Sequence, residues 1–205
     1  MLKIWGRANS ANVKKVLWVA EELGLAYERL DAGGPFGVVT TPEYRAMNPN
    51  GLVPVLQDHD LTLYESNVIV RYLAAKYGAE TLWIADPGER AVAEMWMDWN
   101  HAVGTVMRDA IFGLLRTAPE NRDHAAIRRS IEETARLASI ADAALANHPW
   151  FSGDAFGIGD VPFGSYAHVW LNLPIERPDH PHLAEWYARL LRRPAYAKVV
   201  ATPLT

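Results

Sequence analysis

Residues 48–73, NPNGLVPVLQDHDLTLYESNVIVRYL, predict a β-hairpin followed by a helix. Two apolar runs, Val53–Leu56 and Leu61–Tyr64, flank Asp58-His59-Asp60, a turn sequence, as expected for two strands of a hairpin. Ser66 precedes apolar residues at helical spacing, so the helix is expected to begin directly after the second strand. This stretch therefore predicts antiparallel strands with a helix beside them.

The segment before this stretch alternates strands and helices. Leu2–Trp5 and Tyr27–Leu30 read as strands, and the helix between them has apolar residues on one face: Val13, Val16, Leu17, Ala20 and Leu23. Thr41-Pro42-Glu43 opens a short helix, with threonine as N-cap and proline at the first helical position. Strand, helix and strand can form a parallel βαβ unit, so we expect an α/β domain over residues 1–78.

The pattern changes after Gly78. Residues 79–88 contain Asp86-Pro87-Gly88 and read as a linker. Beyond the linker strand patterns almost vanish, and helical periodicity covers residues 89–116, 122–147, 160–172 and 183–200. We therefore expect an all-α helical bundle over residues 89–205.

Composition excludes several functional classes. The net charge of −4 comes from mixed acidic and basic residues without a basic block, which gives no reason to expect a nucleic-acid partner. Because cysteine is absent, the chain cannot form disulfides, thiolate metal sites or a dithiol redox motif. Its seven histidines form no His-x-x-x-His pair, so we expect no metal site. No apolar run is long enough to span a membrane, and Leu2–Trp5 reads as a strand rather than a signal peptide, so we expect a cytoplasmic protein.

Two predicted helix starts carry groups suited to a charged ligand. Ser10 and Asn12 lie at the start of the first helix, where free N–H groups and the helix dipole favour negative charge. Glu65 and Ser66 lie at the start of the helix after the hairpin, where a hydroxyl and an N–H suit an amino-acid carboxylate and Glu65 suits the ammonium. An ordinary N-cap remains the alternative at both places.

Two further positions have a structural and a functional interpretation. If the Val53-Pro54 bond were cis, the Val53 N–H and C=O would face an extended peptide, although the general frequency of X-Pro isomers favours trans. Asp98 lies off the helix face that Trp96 and Trp99 share, and an acid in that position is usually exposed to solvent rather than functional.

Taken together, these features resemble the glutathione S-transferase family over nearly the whole chain. Asn-Pro-x-Gly-x-Val-Pro-x-Leu matches residues 48–56, and Glu-Ser-x-x-Ile-x-x-Tyr-Leu matches residues 65–73. The segment from Ala188-Arg189 to Arg193-Pro194-Ala195-Tyr196 is also similar to the family's C-terminal helices. The resemblance implies a thioredoxin-like N-terminal domain, an all-helical C-terminal domain and a homodimer with a role in detoxification. It also implies glutathione as co-substrate, with no tightly bound cofactor.

The resemblance implies five residues that bind glutathione. Val53, before a cis Pro54, would pair its backbone with the cysteinyl unit. Glu65 and Ser66 would hold the γ-glutamyl group. Asp98 would reach the γ-glutamyl ammonium of the neighbouring subunit, as a helix acid does in several classes of the family.

The resemblance also implies how the thiol is activated. Ser10 stands where theta-like and related bacterial members keep a hydroxyl for the thiol, and Asn12 stands where some bacterial members have an amide donor. The thiolate would attack a small hydrophobic electrophile held against the second domain. Candidate lining residues of that electrophile pocket are Arg7, Ala8, Met107 and Phe112.

Several positions depart from the family pattern. Leu52 stands where relatives often have Lys, Arg or Gln, which removes a polar contact. Gly157-Ile158-Gly159-Asp160 replaces the usual Ser/Thr-x-x-Asp capping box, and Gly157 is expected to cap the helix less well. The tyrosine of the mammalian alpha, mu and pi classes is not obvious, and the cysteine of the beta and omega classes is absent.

Three functions compete at this point. The first is conjugation of glutathione to an electrophile. The second is reduction of disulfides or peroxides with glutathione as sole reductant, because the chain has no cysteine of its own. The third is non-catalytic ligand binding, which the presence of Ser10, Glu65 and Ser66 together argues against.

Overall fold

The computed structural model describes residues 1–79 and 81–205. Its N-terminal part contains four strands and three α-helices: β1 Leu2–Trp5, α1 Ala11–Glu22, β2 Tyr27–Leu30, α2 Pro42–Met47, β3 Val55–Asp58, β4 Leu61–Tyr64 and α3 Ser66–Tyr77. The sheet order is β2-β1-β3-β4, with β1 parallel to β2 and antiparallel to β3, and β3 antiparallel to β4. Leu2 pairs with Tyr27, and Trp5 pairs with Leu30 on one side and Val55 on the other. The expected α/β thioredoxin-like fold is confirmed.

The C-terminal part is helical, as expected. Its α-helices are α4 Pro87–Val106, α5 Arg108–Leu115, α6 His124–Leu145, α7 Asp160–Asn172, α8 Pro181–Leu191 and α9 Pro194–Val199. None of these helices, nor any other in the described part of the chain, is both long and apolar enough to cross a membrane.

Several predicted boundaries need correction. The periodic run 89–116 is two helices that meet at Met107, and the run 183–200 divides before Pro194, which opens α9. The first of these helices, α4, already begins at Pro87, inside the predicted linker, because Asp86 Oδ1 accepts hydrogen bonds from the first turn. In the hairpin, β3 begins at Val55 rather than Val53, since Pro54 has no N–H to donate to a ladder.

The helix α1 joins the two parts of the chain in one hydrophobic core. All its residues from Val13 to Ala20 are buried, because α3 covers one side and α7 and α9 cover the other. The Trp18 ring lies 4.7 Å from the Tyr196 ring, measured between centroids, and its indole N–H donates to Glu22 Oε1 at 2.8 Å. Glu22 also accepts two hydrogen bonds of 2.8 Å from Arg193. These contacts hold the C-terminal half of α1 against the helical part.

The start of α7 differs from the expected capping box. Gly157 is not the N-cap; Gly159 is, and Ser152 Oγ accepts the Gly159 N–H at 3.0 Å, supplying a hydroxyl that the local sequence lacks. The fully buried Asp160 carboxylate accepts hydrogen bonds from Phe151 N at 2.9 Å, Gly157 N at 3.1 Å and Trp186 Nε1 at 2.8 Å. A side chain at Gly157 would bring Cβ to 2.9 Å from Ser152, so glycine and serine at these positions fit each other.

Candidate active site

The N-termini of α1 and α3 lie side by side. Ser66 Oγ donates a hydrogen bond to Asn12 Oδ1 at 3.4 Å, which connects the two helix starts. Both termini present free backbone N–H groups, so the structure concentrates two partial positive charges in one place. The arrangement is suited to binding an anion.

Ser10 occupies the N-cap position of α1 but does not cap the helix with its side chain. Its φ and ψ of −82° and 124° are extended, and its hydroxyl makes no hydrogen bond to the first turn. The residue is 8% exposed and lines a cavity of about 190 Å³ together with Asn12. The simple capping alternative is therefore not observed, and the hydroxyl is available to a ligand in this cavity.

The backbone of Val53 forms an open edge in the N-terminal part. The Val53-Pro54 bond is cis, as the family resemblance implied. The preceding carbonyl, that of Leu52, accepts hydrogen bonds from Tyr44 Oη at 2.9 Å and Asn48 Nδ2 at 2.8 Å. The N–H and C=O of Val53 itself pair with no backbone group in residues 1–79 or 81–205. An extended peptide therefore has one unpaired donor and one unpaired acceptor to bind.

Glu65 adopts an unusual backbone conformation. Its φ of 70° is positive and its ψ is 107°, although it is not glycine. Such conformations cost on the order of 1–3 kcal/mol and concentrate at ligand clamps and active sites. The conformation leaves the Glu65 side chain exposed while the next residue, Ser66, is buried.

Lys15 is a residue of this site that sequence reasoning missed. Its side chain is buried, with Nζ 3.4 Å from Ser66 Oγ and 3.3 Å from Asn67 Oδ1. The ammonium also lies 5.5 Å from the centre of the Tyr166 ring. Burial lowers the pKa of Lys15 to about 7, an effect that the charge of Glu65 partly opposes. No local signal marks this lysine, because its burial depends on α3 and α7 covering both sides of α1.

Asp98 lies away from this cavity. Its carboxylate is exposed, and Oδ1 accepts a hydrogen bond of 2.8 Å from Arg71 Nη2. Arg71 also pairs with Glu94 at 3.2 Å, so the three charges form a network on the outer face of α3 and α4. Within one chain, Asp98 is therefore not brought together with Ser10 and Ser66.

Two of the four residues predicted for the electrophile pocket lie at the cavity that contains Ser10, and two do not. Arg7 and Phe112 line the cavity that contains Ser10. Met107 is fully buried in the core and cannot contact a ligand, and Ala8 is exposed outside the cavity, so both expectations are corrected. Lining residues that sequence reasoning missed are Arg108, Arg116, Tyr166 and the C-terminal segment 203–205.

Comparisons with known proteins identify the family of this chain. The family model of the glutathione S-transferase N-terminal domain matches residues 9–76, and that of the C-terminal domain matches residues 104–194. The chain is 49% identical to glutathione S-transferase GstB of Escherichia coli strain K12, over 100% of both chains. It is 31% identical to glutathione S-transferase 3 of Zea mays, over 98% of this chain and 93% of that one.

Among solved structures, the theta class glutathione S-transferase from Xanthomonas axonopodis pv. citri with glutathione bound superimposes with a TM-score of 0.97. It is 52% identical over 100% of this chain and 99% of that chain. The glutathione transferase URE2P6 from Phanerochaete chrysosporium, in complex with oxidized glutathione, has a TM-score of 0.88 and 28% identity, over 97% and 94% of the two chains.

Proposed function

This chain belongs to the glutathione S-transferase family, and from that premise we propose how its own residues bind glutathione and activate the thiol. The chain is a glutathione transferase. The observation that carries the proposed mechanism is the uncommitted Ser10 hydroxyl in a cavity beside two helix N-termini.

Glutathione is bound along the line from Val53 to Ser66 in this proposal. The cysteinyl unit pairs with the open N–H and C=O of Val53 next to the cis Pro54. The γ-glutamyl carboxylate accepts hydrogen bonds from Ser66 Oγ and from the α3 N-terminus, and Glu65 accepts from the ammonium. The positive φ of Glu65 supports this assignment, because a ligand clamp explains why a strained conformation is kept.

Lys15 stabilises the bound carboxylate through Ser66. Its ammonium donates to Ser66 Oγ and leaves the hydroxyl proton of Ser66 free to turn from Asn12 toward the ligand. A positive charge behind this hydroxyl also attracts the carboxylate directly in a poorly solvated site. The cost of burying this lysine is offset in part by Glu65, Ser66 and Asn67, and further when glutathione binds.

The Ser10 hydroxyl donates to the glutathione sulfur. A free thiol with a pKa near 8.5 is only about 3% ionised at pH 7. A hydroxyl donor, the α1 N-terminus and an amide donor from Asn12 all favour the thiolate, which is the reactive nucleophile. The thiolate then forms a C–S bond with an electrophilic carbon in the same cavity, and the thiol proton passes to solvent.

We also propose that the protein is a homodimer. Four apolar side chains of β4, α3 and α4 are exposed: Tyr64, Val68, Val92 and Met95. Val68 is three residues from Arg71 on α3, and Met95 is three residues from Asp98 on α4, so each pair shares a helix face. A two-fold contact over these faces would bury the apolar residues and place Asp98 near the partner's glutathione site. We expect the dimer to act in the cytoplasm, where reducing conditions maintain the reduced glutathione that the reaction consumes.

Turnover assays distinguish conjugation from the remaining alternatives. Purified protein with reduced glutathione is tested on a haloarene, an organic peroxide and a mixed disulfide. The disulfide is included because a related structure holds oxidized glutathione. Conjugation predicts activity with the haloarene that Ser10→Ala lowers at neutral pH. Activity with the peroxide or disulfide alone would instead favour glutathione-dependent reduction. No activity with any of the three would leave ligand binding or conjugation to an electrophile of another class.

A further inference from the structure

The cavity beside Ser10 is strongly basic. Its lining includes Arg7, Lys14, Arg108 and Arg116, and no aspartate or glutamate from residues 1–79 or 81–205 lines it. The chain as a whole has a net charge of −4, so this concentration of positive charge is local and opposite to the average. A basic cavity of this kind attracts anions.

Of these four cations, Lys14 and Arg116 make hydrogen bonds within the described part of the chain, whereas Arg7 and Arg108 make none there. Lys14 Nζ donates to Val200 O at 3.0 Å and Thr202 Oγ1 at 2.8 Å, and Arg116 donates to Thr205 O at 3.1 Å. Arg7 and Arg108 form no ion pair and no side-chain hydrogen bond with any described residue. Their guanidinium donors are therefore available to a ligand.

Two of the arginines lie against one apolar ring. The guanidinium carbons of Arg116 and Arg108 lie 4.7 Å and 5.9 Å from the centre of the Phe112 ring. Partial burial lowers the pKa of Arg7, and the positive charge of Arg116 lowers it further. Arg7 and Arg116 therefore repel each other, and a bound anion would relieve this unfavourable interaction.

We propose that the electrophilic substrate of this transferase is itself a small anion, a carboxylate that carries a leaving group on the neighbouring carbon. The inference rests on the proposed glutathione transferase function and replaces the expected hydrophobic electrophile with a charged one. The cavity of about 190 Å³ favours a molecule of few heavy atoms, because drug-sized ligands occupy about 300–1,000 Å³.

The chemistry balances without another reactant. Arg7 and Arg108 hold the carboxylate by charge-assisted hydrogen bonds, and the Phe112 ring covers the carbon chain. The glutathione thiolate forms the C–S bond as the bond from carbon to the leaving group breaks, and the leaving group departs as an anion with the electron pair. The thiol proton has already passed to solvent.

The test compares an acid with its uncharged isostere. The probes are 2-chloropropanoate and 2-chloropropanamide, and each enzymatic kcat/KM is divided by the uncatalysed rate constant with glutathione at the same pH. We expect this rate acceleration to be at least tenfold larger for the acid than for the amide. In Arg108→Gln we expect that acid-to-amide ratio to fall at least tenfold. Arg128→Gln, which removes an exposed charge outside the cavity, serves as the matched control.

The second readout separates the electrophile from glutathione, which has carboxylates of its own. Binding of S-methylglutathione to Arg108→Gln and to Arg7→Gln is measured by calorimetry, and the inference predicts less than a threefold change. A loss of affinity equal to the loss of turnover would assign the arginines to glutathione and overturn the inference. Turnover of the amide or a haloarene without preference for the acid overturns it as well, while the transferase function stands. Absence of all turnover overturns the proposed function together with this inference.

Discussion

Replacing Lys15 by methionine tests whether a buried charge is kept for glutathione at the expense of stability. The folded chain holds the pKa of Lys15 near 7, whereas lysine in an unfolded chain has a pKa near 10.5. Above pH 7 the folded chain releases this proton while the unfolded chain keeps it, so wild-type stability rises with pH between about 7 and 10.5. The destabilising effect of the buried ammonium is thus complete below pH 7 and fades as the pH rises.

The size of the effect follows from that pKa difference. One pKa unit corresponds to about 1.4 kcal/mol, so the two units between pH 7 and pH 9 correspond to about 3 kcal/mol. The variant lacks this titration. The free energy of unfolding of the variant minus that of wild type should therefore be about 3 kcal/mol larger at pH 6 than at pH 9. Packing differences between lysine and methionine are the same at both pH values and cancel in this comparison.

Urea unfolding at both pH values, at one protein concentration, measures the stability difference. Calorimetry with S-methylglutathione at pH 6 measures the functional effect, for which we expect the variant to bind about 10- to 100-fold more weakly. Loss of a charge-assisted hydrogen bond worth about 1.5–3 kcal/mol gives that range. Lys3→Met, which removes a charge from an exposed position on β1, is the matched control and should change neither quantity.

Two results would refute the reasoning about Lys15. If the stability difference between Lys15→Met and wild type is equal at pH 6 and pH 9, the ammonium does not titrate in this interval. If the variant gains stability at low pH but binds S-methylglutathione as tightly as wild type, the charge does not serve the γ-glutamyl carboxylate.

Three further predictions concern the thiol, the assembly and the core. Ser10→Ala should raise the pKa of the bound glutathione thiol and lower turnover at pH 7, while S-methylglutathione still binds. The ultraviolet absorbance of the thiolate, recorded against pH, measures the thiol pKa for wild type, Ser10→Ala, Asn12→Ala and the double variant. Identical titration curves for wild type and all three variants would exclude both side chains. Stability of Ser10→Ala should change by less than about 0.5 kcal/mol, because the hydroxyl caps nothing. Light scattering at micromolar concentration should give twice the 22.9 kDa mass of one chain. Met95→Asp should shift the measured mass toward that of one chain, because it places a charge in the proposed contact. A wild-type mass equal to that of one chain contradicts the dimer. Asp160→Ala should lower the free energy of unfolding by about 3 kcal/mol or more, since three buried donors lose their acceptor; a loss below about 1 kcal/mol in urea unfolding would show that they find other partners.

The sequence predictions were accurate where the signal lay within a few neighbouring residues and failed where it did not. The predicted run 160–172 coincides with α7, and Thr41 caps α2 as its position before proline indicated. The run 89–116 was wrong as a single helix because the apolar periodicity continues through Met107, where α4 ends and α5 begins. The isomer of Val53-Pro54 could not be derived from the dipeptide itself, whose general preference is trans, and was indicated only by the family resemblance.

The sequence by itself determined the order of strands and helices, because caps, turns and apolar spacing act over a few residues. The family, and with it the interest of Ser10, Val53, Glu65 and Ser66, was indicated by the resemblance of the motifs in residues 48–73. Only the tertiary structure decided which charges are buried and which of them meet. Lys15 is buried because α3 and α7 enclose α1, and Arg7, Arg108 and Arg116 line one cavity because the packing of α5 and the C-terminal segment brings distant parts of the chain together. Long-range packing leaves no local pattern in the sequence, which is why the basic character of the site emerges only from the folded chain.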